Sequence, residues 1–437
     1  MRIIYNIVFI IFAIFYLPYF LLKGKYHKGF LQRFGIFDKD IFSTIAPNKP
    51  VWLHAVSLGE MKTAVGFINK LRGIFPSIRF VISNVTKTGH DVAISVAGKE
   101  DAVIYFPLDL SFIVRKLVKL LNPSLFIVIE TEIWPNLITE LHAKHIPIVL
   151  MNGRISPTSF RNYSLVKPIM RGILKKVTLF CMRTKRDAER IEELGAPRER
   201  VKVTGNMKFD SVFVRDENEI KEWALIKNRN AWLPKELKLI IAGSTHRGED
   251  GKILRAYIAL KKGFSGLRLL IAPRHIERVS EVCALAEEFG LKAVRVSELE
   301  KKCAAAPDKS AGIAYDNNSV FILDSMGRLS SLYSLAAIVF MGGSLVPHGG
   351  QNFIEPAVYA EPIVTGPHMH NFKDMSELFA KNGALEIVHN EGELTRLLGK
   401  LLSDEKRCEV MGKRAKKTVF DNVGSTDRNI SLIRQYL

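Results

Sequence analysis

The sequence predicts an α/β protein: two Rossmann-like halves behind an apolar N-terminal segment. Three observations carry this expectation. Short apolar runs alternate with helical patterns over most of the chain, as in a parallel sheet covered by helices. A polar, charge-rich stretch from 210 to 235 interrupts the alternation once and divides it into two series. The length of 437 residues, 47% of them hydrophobic and 24% charged, suffices for two cores.

The first element is an uncharged run from Ile3 to Leu22, rich in Ile, Phe and Leu. Twenty helical residues span roughly 30 Å, the thickness of a bilayer core. Neither a basic leader nor a small-residue cleavage site marks it as a signal peptide. Lys23, Lys25, Lys28 and Arg33 follow, so residues 1–25 read as a membrane anchor that leaves the rest of the chain in the cytoplasm. After a Pro-bounded linker (Pro47–Pro50), strands are expected at 51–55, 79–85, 102–106, 124–130, 146–151 and 178–183. They define a first domain over 48–210. The second domain, 235–437, opens with strands at 237–244 and 267–274, continues at 320–325, 337–341 and 362–365, and ends in a helical tail.

The four cysteines (Cys181, Cys283, Cys303, Cys408) are far apart and include no Cys-x-x-Cys pair, which argues against a structural zinc and fits a reducing compartment. Net charge +19 implies an anionic partner. A nucleic-acid binder would interleave aromatic residues with a basic stripe, and no such cluster exists, so nucleic acid is not expected as a partner.

Chemistry-bearing residues gather at expected strand ends. The stretch Ala337–Pro367 carries four glycines (Gly342, Gly343, Gly349, Gly350), then a helix expected to start near Asn352 and carry Glu355. Strand, glycine loop and helix N-terminus together suit a nucleotide phosphate, with backbone N–H groups facing the anion. Glu60 follows the first strand, where it is either a general base or the third helical residue of a Ser57-x-x-Glu60 capping box. Glu130 and Glu132 end another strand, at a spacing that puts both on one face. Arg274, ahead of His275, has the fork of donors that suits phosphate. Lys208 sits in a turn near the domain boundary. Asp38-Lys39-Asp40 resembles a metal-nucleotide motif but precedes the first strand, and His142, His145, His368 and His370 read as surface residues. No metal is expected. The openings VWLHAVSLGE (51–60) and LIIAGSTHRGE (239–249) form a weak internal repeat.

Taken together, HAVSLGE, ETEIWPNL, NGRISPTSFRNY, GNMKFD, AGSTHRGE, APRH and GGSLVPHGGQNFIEPA resemble the 3-deoxy-D-manno-octulosonic acid (Kdo) transferases from about residue 50 to the end. That resemblance implies a GT-B fold, with two Rossmann-like domains facing across a cleft. It implies CMP-Kdo as donor, a lipid A precursor as acceptor, an inverting reaction with no metal or other cofactor, and a place on the cytoplasmic face of the inner membrane, against its anionic lipid. Carried over by motif, Glu60 becomes the base, and Glu130 and Lys208 support the transition state. Pro273, Arg274, Met326, Gly327, Arg328, Asn352, Phe353, Ile354 and Glu355 become the CMP contacts. Arg328 departs from the acidic residue expected in that segment. A competing reading is another membrane-associated GT-B enzyme that uses a UDP-sugar.

Overall fold

A computed structural model describes residues 2–7, 9–11, 14, 29–37, 49–213, 237–305 and 318–437. The chain forms two compact units, one of residues 1–214 with 422–437 and the other of residues 215–421.

The first unit is a seven-stranded sheet in the order β3-β2-β1-β4-β5-β6-β7. Its strands are β1 (Val51–His54), β2 (Phe80–Asn84), β3 (Ala102–Tyr105), β4 (Leu125–Ile129), β5 (Ile148–Gly153), β6 (Leu179–Met182) and β7 (Val201–Val203). All neighbours pair in parallel. Helices cover both faces, which is why β1, β2 and β4 are buried along their whole length instead of alternating. Trp52 and Phe126 meet edge to face within one core layer, at 5.0 Å between centroids. On the other face, the helix Leu58–Ile74 buries Met61, Ala64, Phe67, Ile68 and Leu71.

The second unit repeats the plan, with the order β10-β11-β9-β8-β12-β13-β14. Its strands are β8 (Lys238–Thr245), β9 (Leu267–Pro273), β10 (Lys292–Arg295), β11 (Ser319–Ile322), β12 (Ile338–Met341), β13 (Ile363–Thr365) and β14 (Glu386–Ile387), again all parallel. In each sheet, strand order reverses beside the first strand, between β1 and β4 and between β8 and β12. In open α/β sheets that reversal leaves a crevice beyond the strands' C-terminal ends, where ligands bind.

All eleven expected strands form, with ends within three residues of expectation, whereas β7, β10 and β14 are additional. The tail departs from the expected domain 235–437. The helix Ser425–Ile433 packs on the first unit, where Asp210 accepts from the backbone N–H groups of Gly424 (2.7 Å) and Thr426 (2.5 Å), and Arg428 donates to the Thr204 carbonyl. Ile430 and Ile433 complete the first unit's core.

Residues 2–7 and 9–11 are helical. Arg2 pairs with Glu140 at 3.1 Å, and Asn6 bonds Ser111 and Asn136, while Ile3, Ile4, Ile7 and Ile11 stay exposed. Among the described residues no helix is long and apolar enough to cross a membrane. Residues 15–25 of the expected anchor lie outside the described residues, as do Asp38 and Asp40.

Candidate functional site

In the first unit, the reversal between β1 and β4 brings three of the expected residues together. Glu60 sits one turn into the helix that follows β1. Ser57 caps that helix by accepting from the Glu60 N–H, and the Glu60 carboxylate accepts from the Val56 N–H (2.6 Å) and the Ser57 hydroxyl (3.0 Å). The capping geometry is therefore real, and it also holds the carboxylate in one place. Burial, with the neighbouring Glu130 charge second, raises the Glu60 carboxyl above its ordinary value, against the pull of those hydrogen bonds. A carboxylate so raised is better suited to accept a proton near neutral pH.

Glu130 follows β4 with φ 64°, a left-handed conformation that costs a non-glycine residue energy and is often found at functional sites. This kink ends the strand at Ile129, so the expected sharing of one face by Glu130 and Glu132 does not hold. The Glu130 side chain turns to the buried Arg183 and pairs with it. Arg183 also donates to the carbonyl of Asn152, itself left-handed at φ 57° at the end of β5. Lys208, in the 3-10 turn Met207–Phe213, joins the same cluster. Burial lowers its ammonium, Arg183 and Arg154 lower it further, and Glu130 and Glu60 oppose them. Glu132 is pushed up to about 7 by burial and by the charges of Glu60 and Glu130. Three carboxylates, one lysine and one arginine thus surround the crevice of this sheet.

In the second unit the equivalent crevice is organised differently from the expectation. The carboxylate of Glu249, with no exposed surface, accepts four backbone N–H groups: His246 (2.9 Å), Gly343 (2.6 Å), Ser344 (2.9 Å) and Leu345 (2.8 Å). The first glycine pair therefore cannot serve as an open phosphate cradle, because the Gly343 amide already holds the Glu249 carboxylate and the Gly342 amide donates to the Gly243 carbonyl. Its glycines are still required. A Cβ on Gly342 would lie 2.4 Å from the Ser244 carbonyl oxygen, and Gly343 has φ 68°. The expected helix near Asn352 begins at Ile354 and runs only to Val358, with Asn352 accepting from the Ile354 N–H and donating to Glu355 at 3.1 Å.

Of the expected nucleotide contacts, Pro273 ends β9 and Arg274 follows it, its guanidinium without a partner among the described residues. Met326 and Gly327 are exposed in a turn, and Arg328 is committed to Glu300 at 2.7 Å. Phe353 and Ile354 have no exposed side-chain surface, and Phe353 packs edge to face on Phe379 at 5.0 Å. Their side chains belong to the core, which leaves only their backbone for a ligand. Beside Arg274 stand three imidazoles absent from the expected site list: His246 stacks on His348 at 4.3 Å and meets His275 edge-on at 5.8 Å. Sequence reasoning noted His275 beside Arg274 without giving it a role, and it missed Arg183, Glu249, His246 and His348, although Arg183 and His246 each directly follow a strand, the rule that found Arg274. No group of three or more His, Cys, Asp or Glu among the described residues could hold a metal ion.

Two parallel α/β units, each with polar residues at its topological reversal, define a Rossmann-like protein with a candidate ligand crevice in each unit. The family model described as 3-deoxy-D-manno-octulosonic-acid transferase (kdotransferase) matches residues 28–211. The 3-deoxy-D-manno-octulosonic acid transferase of Haemophilus influenzae is 31% identical over 414 residues, 94% of this chain and 92% of that one. The Aquifex aeolicus protein of the same description is 30% identical over 363 residues, 83% and 89% of the two chains. The solved structure of a UDP-GlcNAc 2-epimerase from Neisseria meningitidis shares the fold alone, at 12% identity and TM-score 0.56, over 88% of this chain and all of that one. The chain belongs to the Kdo transferase family and is a glycosyltransferase.

Proposed function

We propose that the protein transfers Kdo from CMP-Kdo to a hydroxyl of a lipid A precursor, with inversion and with Glu60 as the base. The observation that carries this reading is the Glu60–Glu130–Lys208–Arg183 cluster at the first unit's crevice. The acceptor oxygen attacks the anomeric carbon, its proton passes to the Glu60 carboxylate, and the bond from that carbon to the CMP phosphate oxygen breaks. Negative charge grows on the departing phosphate, and Arg274 is the cation of the second unit that suits it. Lys208, with its ammonium lowered by burial and by Arg183, is poised to gain from an arriving anion. Glu355, oriented by Asn352, suits the ribose hydroxyls.

The apolar N-terminal segment fits a membrane-held enzyme, and the isoleucines exposed on its described part suit an apolar medium. With net charge +19, the protein would favour an anionic lipid surface and a phosphorylated acceptor on the cytoplasmic face of the inner membrane. The test is mass spectrometry of the product made from purified tetra-acylated precursor and CMP-Kdo. Added mass equal to one or more Kdo residues supports the reading; transfer from a UDP-sugar with none from CMP-Kdo overturns it.

A further inference from the structure

The donor named in the proposed reaction carries two anionic groups, the phosphate and the carboxylate of the sugar acid, which is attached to the carbon bonded to phosphate. Arg274 alone cannot account for both. The amides of Gly343, Ser344 and Leu345 are occupied by Glu249, and the Ile354 amide by Asn352. With those amides committed, the side chains grouped at this crevice are the ones to weigh for the second anion.

His246, His275 and His348 are the polar side chains grouped there. His246 is held in place at several points. Its backbone N–H donates to Glu249, its ring lies where a Cβ on Gly343 would come within 3.2 Å, and it stacks on His348. The Gln351 amide N–H donates to Nε2 at 3.1 Å, which puts the ring proton on Nδ1. Burial, followed by His348, His275, Arg274 and Arg278, pulls the His246 imidazole down to about 4. It is therefore neutral at pH 7 and offers one fixed donor. Arg278 is already committed to Asp250 and, at 3.3 Å, to Glu281.

We propose that His246, fixed by Gln351 and stacked on His348, forms with His275 the subsite for the carboxylate of the donor sugar acid, next to the phosphate at Arg274. This rests on the CMP-Kdo reading and adds to it the element that selects an acidic sugar over a neutral one. A neutral sugar would leave these donors without a charged acceptor, the kind of mismatch that separates substrates strongly.

The test compares a ligand with the carboxylate to one without it. His275→Gln changes an exposed residue, and His246→Asn changes the fixed one; thermal melting confirms that each folds. Each variant should raise the KM for CMP-Kdo by about tenfold or more, the loss expected for a hydrogen bond to a charged group. Inhibition by free CMP, which has phosphate but no carboxylate, should stay within about twofold of wild type. A parallel loss for CMP would assign the histidines to the phosphate or nucleotide and overturn the proposal. So would an unchanged KM in both variants. If wild-type protein is not inhibited by CMP at all, the donor reading fails first, and that outcome is distinct from either of the others.

Discussion

Replacing Glu249 by Gln tests whether the second unit's glycine loop is held by a buried carboxylate. Oε1 accepts from Ser344 and Leu345, and Oε2 from His246 and Gly343. A carboxamide has one oxygen, so it can retain one of these pairs while its NH2 faces the other. Two buried N–H groups lose their acceptor, at about 1–3 kcal/mol each, which totals about 2–6 kcal/mol. For a unit of this size each kcal/mol lowers the melting temperature by roughly 2–4 °C, so the expected drop is about 5–20 °C. Native-state hydrogen exchange localises the effect: one amide pair among His246, Gly343, Ser344 and Leu345 should lose protection, while amides of β1 in the first unit should not. A loss below about 1 kcal/mol with all four amides still protected would refute the account, because it would mean the loop holds its shape without the carboxylate.

Other perturbations separate binding from chemistry. Glu60→Gln keeps an oxygen for the cap and should abolish transfer while CMP still binds; near-normal turnover in kinetic assays would leave Glu60 a capping residue only. Arg274→Ala should lower kcat roughly 10²–10³-fold, whereas Glu355→Gln should mainly raise the KM for CMP-Kdo, as measured with donor varied at saturating acceptor. An Arg274 variant changed in KM alone would show that the guanidinium only binds. Glu361 is raised to about 8 by burial, so the folded unit favours its protonated form. Stability should therefore fall as pH rises from about 5 to 8, by roughly 3 kcal/mol or less, and Glu361→Gln should flatten that slope in melts across the range.

The strands were legible because parallel strands buried on both faces read as continuous apolar runs, as in LFIVI at 125–129 and LRLLIA at 267–272. Three strands escaped for want of that signal. The β10 segment KAVR is bounded by two exposed cations, and β7 and β14 are three and two residues long. Glu60, Glu130 and Lys208 could be named individually, but their convergence could not, because it depends on the order β2-β1-β4-β5. The left-handed turn at Glu130 was hidden for a similar reason: a strand-end glutamate predicts no positive φ, and the Arg183 and Asn152 contacts behind it come from β6 and β5. In the sequence Glu249 is only the last residue of the repeated opening LIIAGSTHRGE (239–249). Three of its four amide partners lie about a hundred positions later in the chain, beyond the reach of local pattern.

The helix Ser425–Ile433 has a consequence for how the chain is made. It supplies Ile430 and Ile433 to a core whose other residues lie between Val51 and Met207. About two hundred residues of the second unit are translated between those two parts. At roughly 5–20 residues per second the ribosome takes some 10–40 s to cover that interval. Throughout it, the nascent first unit presents an uncovered apolar face at the helix Leu58–Ile74 and the turn that begins at Met207, and the second unit is complete before the first. A message truncated near codon 421 would therefore damage the half of the protein that was synthesised first.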